Sequence, residues 1–343
     1  MVLKGKNVLV VGTGISGVAA CELLRAQGAN VILFDGNKAA DTEEIRRKSK
    51  AFENIEIILG DLPEVISGVL DMAVLSPGVP TDLPMVRALR ERGVIVLGEI
   101  ELAYQTGKGS IVAITGTNGE IMKNCYEDVK VVGNIGIPYT GVAMETTEDT
   151  VVVAEISSFQ LETILEFKPK VSAILNITPD HLDRHHTMEA YIQAKESITK
   201  NQTKDQICVL NYEDDVLREF GEQLFARVVY FSSKRRLKQG IYLEGDTIYC
   251  SGREQVSEVV NVNKLNLLGV HNYENVMAAV AICLSFGVPL EKIQEILVRF
   301  QGVEHRIEYV TEKRGVKFYN DSKGTNPDAA IQGIRAMTKP TVL

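Results

Sequence analysis

The segment Ile111 to Gly119, IVAITGTNG, constrains the fold most. The apolar residues Ile111 to Ile114 suit a strand buried on both faces, and Gly116-Thr117-Asn118-Gly119 supplies a glycine-rich turn into a helix. A strand, glycine turn and helix in that order belong to a parallel sheet with crossover helices, and backbone N–H groups at such a helix start cradle phosphate. The pattern is then broken. The last glycine should be followed by Lys and Ser or Thr, which meet the β- and γ-phosphates and Mg2+, yet Gly119 is followed by Glu120. A carboxylate stands where phosphates would lie.

The rest of the chain keeps the same rhythm. Residues 1–106 alternate apolar strands with amphipathic helices (NVLVVG, VAACELLRAQG, NVILFD, IEIILG, MAVLSPG, PMVRALRERG, VIVLG), which predicts a Rossmann-like parallel sheet with helices on both faces. TGKGS reads as a linker into a second α/β block over 107–302, a central domain of the P-loop ATPase type. Its expected strands are 111–115, 130–132, 150–155, 171–176 and 206–210, followed by a β-richer part around 228–262 and helices over 273–286 and 291–300. A third unit, 303–343, begins with strands at 307–310 and 316–320 and one helix, the start of a further Rossmann-like unit that ends early.

Composition narrows the function classes. With 45% hydrophobic and 24% charged residues the chain has the balance of a globular protein, and no apolar run approaches the ~20 residues of a membrane span. A net charge of -8 argues against general binding to nucleic acid or anionic membrane. The five cysteines are scattered without a CxxC pair, which fits a reducing cytoplasm and suggests neither a disulfide framework nor a zinc site.

Three groups of polar residues carry chemistry. Gly12-Thr13-Gly14-Ile15-Ser16-Gly17 follows a strand, and Asp35 ends the next one, a spacing suited to a diphosphate turn whose acid meets a ribose or base. The residues alone leave open NAD, another diphosphate, or a turn with no ligand. Asn134, Glu155 with Ser157-Ser158, and the run Asp180-His181-Leu182-Asp183-Arg184-His185 lie just past strand ends, where open α/β sheets bind ligands. Glu155 is a candidate oxygen ligand for Mg2+ and His181 a softer one, whereas His185 and His186 read as a solvated pair. Lys195 by itself is a surface lysine of an amphipathic helix. Asn272 and Asn275 open a helix after Gly269, and His305-Arg306 with Asn320 to Asn326 combine acids, bases and hydroxyls at the start of the third unit.

With TGTNG, GNIG, EISSFQL, DHLDRH, YIQAK, GVHNYEN, HRIE and NDSKGTNP in that order, the whole chain resembles the Mur ligases, ATP-dependent amide-forming enzymes of peptidoglycan synthesis. SSFQL and DHLDRH resemble in particular the type that adds D-glutamate to UDP-N-acetylmuramoyl-L-alanine. The resemblance implies a cytoplasmic, monomeric enzyme of three α/β domains that bind the UDP-sugar, ATP and the amino acid in turn. It implies that Gly14, Ser16, Gly17, Asp35, Ser76 and Gly78 hold UDP and not a nicotinamide, with Asn134 at the junction of substrate and nucleotide. In the family the substrate carboxylate attacks the γ-phosphate, and the amine then attacks the acyl phosphate. Glu155 and His181 would hold Mg2+, and the lysine matching Lys195 is carbamylated, which replaces a repelling ammonium by oxygen and negative charge. Gly116, Thr117, Asn118, Gly119, Asn272, Asn275, His305, Arg306 and Asp321 would surround ATP, and Lys323 would neutralise developing phosphate charge.

Two departures bear on catalysis. The family pattern runs from GTNGKT through a long helix into something like GEIMKN, so roughly ten residues are excised here, about 15 Å of helix. Lys123, displaced by about one turn, is no substitute for the lost lysine. The third domain also stops early, which removes most of the expected amino-acid site. The expectation is a D-glutamate-adding ligase in fold and ancestry, impaired in this form. The alternatives are a non-catalytic UDP-sugar-binding remnant and an NAD-dependent dehydrogenase, which leaves the later motifs unexplained.

Overall fold

A computed structural model describes the chain except at 50, 51, 54, 116–125, 135, 301, 303, 304, 323, 326 and 338, and except for the side chains of 327 and 328. Gly116, Thr117, Asn118, Gly119, Glu120, Lys123 and Lys323 thus lie outside the described residues. Two units separate, one within Met1–Gly116, Asp128–Lys170 and Thr178–Gln202, the other within Thr117–Glu127, Val171–Ile177 and Thr203–Leu343.

In the first unit the short apolar runs become β1 (Asn7–Val11), β2 (Asn30–Asp35), β3 (Glu56–Leu59), β4 (Met72–Leu75) and β5 (Ile95–Gly98). They pair in parallel in the order β3-β2-β1-β4-β5. The crossovers run through α1 (Ile15–Ala26), α2 (Thr42–Arg47), α3 (Glu64–Ser67) and α4 (Pro84–Glu91). Pro84 opens α4, where its missing N–H costs nothing, and Val86 and Leu89 of that helix pack on Leu9, Val11, Phe34 and Leu75. From β1 the chain moves to β2 and β3 on one side, then returns to β4 and β5 on the other. That reversal makes the carboxyl ends of β1 and β4 the switch point at which such sheets receive ligands.

α5 (Glu99–Thr106) follows β5 without a loop, and two acids at its start are buried. Glu101 accepts hydrogen bonds from the backbone N–H groups of Leu165, Glu166 and Phe167 at 2.8, 2.9 and 3.0 Å, which satisfies a charge that water cannot reach. Glu99 accepts from Gln160 Nε2 at 3.0 Å, while burial pushes its carboxyl above the ordinary carboxylate value. A Cβ at Gly98 would lie 2.2 Å from Thr163 Oγ1, so this exit from β5 admits glycine alone unless position 163 gives way. The unit is completed by β6 (Ser110–Thr115), β7 (Val129–Gly133) and β8 (Val151–Glu155), with β8 pairing in parallel with both others, and by α6 (Ser158–Leu161), α7 (Leu182–His185) and α8 (Met188–Glu196).

The second unit contains β9 (Val171–Ile174), β10 (Ile207–Asn211), β11 (Arg227–Ser232) and β12 (Gly240–Glu244), paired in parallel in sequence order. β13 (Thr247–Ser251) and β14 (Val256–Asn261) extend them in antiparallel fashion. Its helices are α9 (Asp215–Gln223), α10 (Val270–Phe286) and α11 (Leu290–Arg299). α10 buries a continuous run from Val276 to Cys283, begins before the expected residue 273, and stops at Gly287, whose φ of 97° is the usual glycine stop. The antiparallel pair β15 (Glu308–Lys313) and β16 (Val316–Asn320) and α12 (Pro327–Arg335) end the chain. Among the described residues no helix is long and apolar enough to cross a membrane.

Candidate functional site

The first turn is built from mutual exclusion of side chains. Gly12 follows β1 at φ 103°, and a Cβ there would come within 2.7 Å of Ser76 Oγ. Gly17, inside α1, is tighter, because its Cβ would lie 1.9 Å from the Gly12 carbonyl oxygen. Gly14 and Gly78 face open space, with no atom within 4 Å of a Cβ at either position, and Ser16 is half-buried in the first turn of α1. Glycine therefore packs strand, helix and the Ser76 turn together at 12 and 17 and leaves room at 14 and 78. Among the described residues Ser76 Oγ is buried without a hydrogen-bond partner. A buried hydroxyl with nothing to bond is costly, and a polar ligand atom at this turn would satisfy it.

Asp35 closes the same turn from β2. It accepts from Thr13 N at 3.1 Å, Thr13 Oγ1 at 2.8 Å and Asn37 N at 3.0 Å. Burial works against its charge, but the bonds from Asn37 and Thr13 outweigh burial and hold the carboxyl below the ordinary value. Asp35 therefore shapes the turn.

Asn134 follows β7 and Glu155 ends β8, and the sheet brings them together. Asn134 N donates to Glu155 O at 2.7 Å and its amide Nδ2 to Glu155 Oε1 at 3.4 Å. Gly133, at φ 103°, allows the approach, since a Cβ there would sit 2.1 Å from the Glu155 carbonyl oxygen. Ser157 and Gln160 form a reciprocal capping box at α6, which turns the chain just past Glu155.

His181 stands before α7 in the left-handed region, at φ 53° and ψ 33°. Its ring lies 4.8 Å from that of Phe159, and Asp180 Oδ2 is 3.7 Å from its Nε2. Lys195, half-buried on α8, carries its Nζ 5.0 Å above the Tyr191 ring. Among the described residues no group of three or more His, Cys, Asp or Glu side chains is arranged to hold a metal ion.

The reading of His185 as solvated is overturned. α7 is a single turn, and it points His185 inward while His186 is mostly exposed. His185 Nε2 lies 2.9 Å from Ser158 Oγ, its ring is 5.4 Å from Tyr191, and burial lowers its pKa below the usual 6.5, with the Glu162 charge opposing.

In the second unit, Asn272 is buried and donates to Leu268 O at 2.7 Å, so it secures the start of α10, and Asn275 follows one turn later, half-buried. His305 sits at φ 66° with its Nδ1 2.8 Å from Asn320 Nδ2. Asp321 Oδ1 accepts from Ile307 N at 3.1 Å. His271, which the sequence reading passed over, belongs with them: burial lowers its pKa, the Arg306 charge lowers it further, and Asp321 opposes both. Its place in GVHNYEN was the available signal.

Residues 6–98 match the N-terminal domain of the MurD-like Mur ligases, and residues 100–283 match the Mur ligase middle domain. A UDP-N-acetylmuramoylalanine–D-glutamate ligase of Lachnoclostridium phytofermentans is 55% identical, over 99% of this chain and 77% of its own length. One from Lachnospira eligens is 51% identical, over 100% and 78%. Among solved structures, a pseudomurein peptide ligase type C from Methanothermus fervidus is similar at a TM-score of 0.56 and 19% identity, over 98% of this chain and 78% of that one, a likeness of fold. With two domain models matched in succession and most residues shared with the first of these relatives, the chain belongs to the Mur ligase family.

Proposed function

We propose that this chain is organised for ATP-dependent addition of D-glutamate to UDP-N-acetylmuramoyl-L-alanine, and that with Glu120 directly after Gly119 it binds the UDP-sugar better than it turns it over. The observation that carries the reading is the Gly12, Gly17 and Ser76 turn at the switch point of β1 and β4, with a buried, unpartnered hydroxyl at its centre. Gly14, Ser16, Gly17, Asp35, Ser76 and Gly78 would hold the UDP moiety, and Asn134 would meet the sugar side beside Glu155. The names of the two relatives support the choice of substrate. The three-domain division at 106 and 302, a monomeric state and a cytoplasmic location are part of the same proposal.

The residues fit a nucleotide and Mg2+ unequally. His271, on which the Arg306 and Asp321 charges act, together with Asn272, Asn275 and His305, offers donors and acceptors suited to base and ribose. Glu155 and His181 are two possible ligands for Mg2+, an ion that usually completes its shell with phosphate and water oxygens, and a carbamate on Lys195 would add oxygen. ATP, when bound, supplies the phosphoryl group that activates the substrate carboxylate. The segment Gly116 to Glu120, whose family counterpart holds the phosphates, lacks the lysine and hydroxyl in sequence, and charge stabilisation at such a site contributes several kcal/mol. A non-catalytic UDP-sugar binder is the second reading, favoured by that same gap.

Calorimetry with UDP-N-acetylmuramoyl-L-alanine and NAD, and phosphate release with ATP, Mg2+ and both substrates, test the proposal. Saturable binding of the UDP-sugar without NAD binding is expected, with little phosphate released. Preferential NAD binding overturns the substrate assignment, and turnover near ~1 s⁻¹ overturns the impairment.

A further inference from the structure

Arg184 lies in DHLDRH but has no part in the function proposed above. Its guanidinium donates from Nη2 to Glu162 Oε2 at 2.8 Å and to Val79 O at 2.9 Å, and its carbon centre stands 5.1 Å over the Phe159 ring. Both members of the ion pair are nearly buried, at 12% and 15% side-chain exposure. Glu162 also accepts from Thr81 Oγ1 at 3.1 Å and lies 3.5 Å from His185 Nδ1. Phe159 thus lies under the Arg184 guanidinium and packs against the His181 and His185 rings at 4.8 and 5.5 Å.

His181 needs such a support. Its left-handed backbone is disfavoured for a residue with a Cβ, and about half of its side chain is exposed. The Val79 carbonyl, the other anchor of Arg184, ends the turn that begins with Ser76. We propose that Arg184 is a positioning residue: paired with Glu162, it fixes the Phe159 ring against the His181 imidazole and ties that group to the turn carrying Ser76. The inference rests on the reading of His181 as a Mg2+ ligand and of Ser76 as a contact of the UDP moiety. A lysine cannot replace Arg184, because the guanidinium meets the two Glu162 carboxylate oxygens through Nε, at 3.4 Å, and Nη2 while its flat face lies over the aromatic ring.

The test is a ring-proton NMR spectrum of the chain with labelled histidine, whose 5 imidazoles are assigned with single substitutions. In Arg184→Gln, and in Glu162→Gln/Arg184→Gln, which leaves no orphaned charge, the His181 signal should move toward that of free histidine as Phe159 releases it. The His271 and His305 signals should stay in place, and UDP-N-acetylmuramoyl-L-alanine should bind about tenfold more weakly. Arg184→Lys should behave like Arg184→Gln. A His181 signal unchanged in the folded double variant, or restored by lysine, overturns the proposal. A wild-type chain that binds no UDP-sugar overturns the functional reading instead, and the His181 signal still decides the role of Arg184.

Discussion

Replacing Gly17 by alanine separates the two tasks of the first turn. The added Cβ would start 1.9 Å from the Gly12 carbonyl oxygen, and a relaxed carbon–oxygen contact needs about 3.3 Å, so turn and helix must part by ~1.4 Å. The obstacle is backbone, so no side-chain rotation relieves it. Overpacking of this kind costs about 1–3 kcal/mol, and a backbone obstacle belongs at the upper end, which lowers Tm by about 5 °C. A displacement of that size also withdraws N–H groups from a diphosphate. Losing one hydrogen bond to a charged group costs about 1.5–3 kcal/mol, a loss of affinity of ten- to a hundredfold. Gly14→Ala is the control, because no atom lies within 4 Å of its Cβ. It should cost stability less than about 1 kcal/mol, as a poorer helix cap, while its methyl group obstructs the ligand. Thermal melts and calorimetry with UDP on both variants measure the two effects. Gly17→Ala melting within about 1 °C of wild type and binding UDP within about twofold would refute the packing account.

The remaining predictions concern buried groups. Because burial keeps His185 below its ordinary 6.5, the unfolded chain takes up the proton first, so its contribution to stability is present above that value and lost as the pH falls through it. The stability advantage of wild type over His185→Gln should shrink between pH 7.5 and 5.5, and an advantage that grows on acidification counts against the assignment. Glu101→Ala leaves three backbone N–H groups without an acceptor; the Phe167 group is fully buried, so about 2–4 kcal/mol is lost and amides 165–167 exchange faster by hydrogen-exchange mass spectrometry. Unchanged exchange there would contradict it. Burial pushes the Cys21 and Cys208 thiols up to about 12, so both should resist alkylation by iodoacetamide at pH 8 in the native chain, and rapid labelling of either would show that its burial is wrong.

The parallel core was legible because each strand is a short apolar run ended by a turn residue, and a run buried on both faces carries its own signal. β6, β7, β8 and β10 fall within a residue or so of their expected places. The first turn was legible for a related reason, since its glycines and Asp35 are local and their spacing alone suggests the geometry. What stayed hidden depends on distant partners. Glu99 and Glu101 look like exposed acids of a helix, and it takes distant donors, Gln160 and Thr140 for Glu99 and the amides of 165–167 for Glu101, to explain their burial. His185 and His186 are neighbours with opposite fates, because His185 is the last residue of α7 whereas His186 leaves the helix at φ 66°. Arg184 sat in a recognised motif, yet its function depends on Glu162, Phe159 and Val79, which no spacing reveals.

The approach of Gly98 to Thr163 carries a consequence for how such chains diverge. The 2.2 Å that separates Thr163 Oγ1 from a Cβ at 98 makes the two positions a single unit of variation. A lineage that acquires a side chain at 98 must turn the Thr163 hydroxyl away or shorten 163, and without that change it passes through an intermediate with a blocked exit from β5. Where 163 is shortened, that substitution should therefore be ancestral to the change at 98.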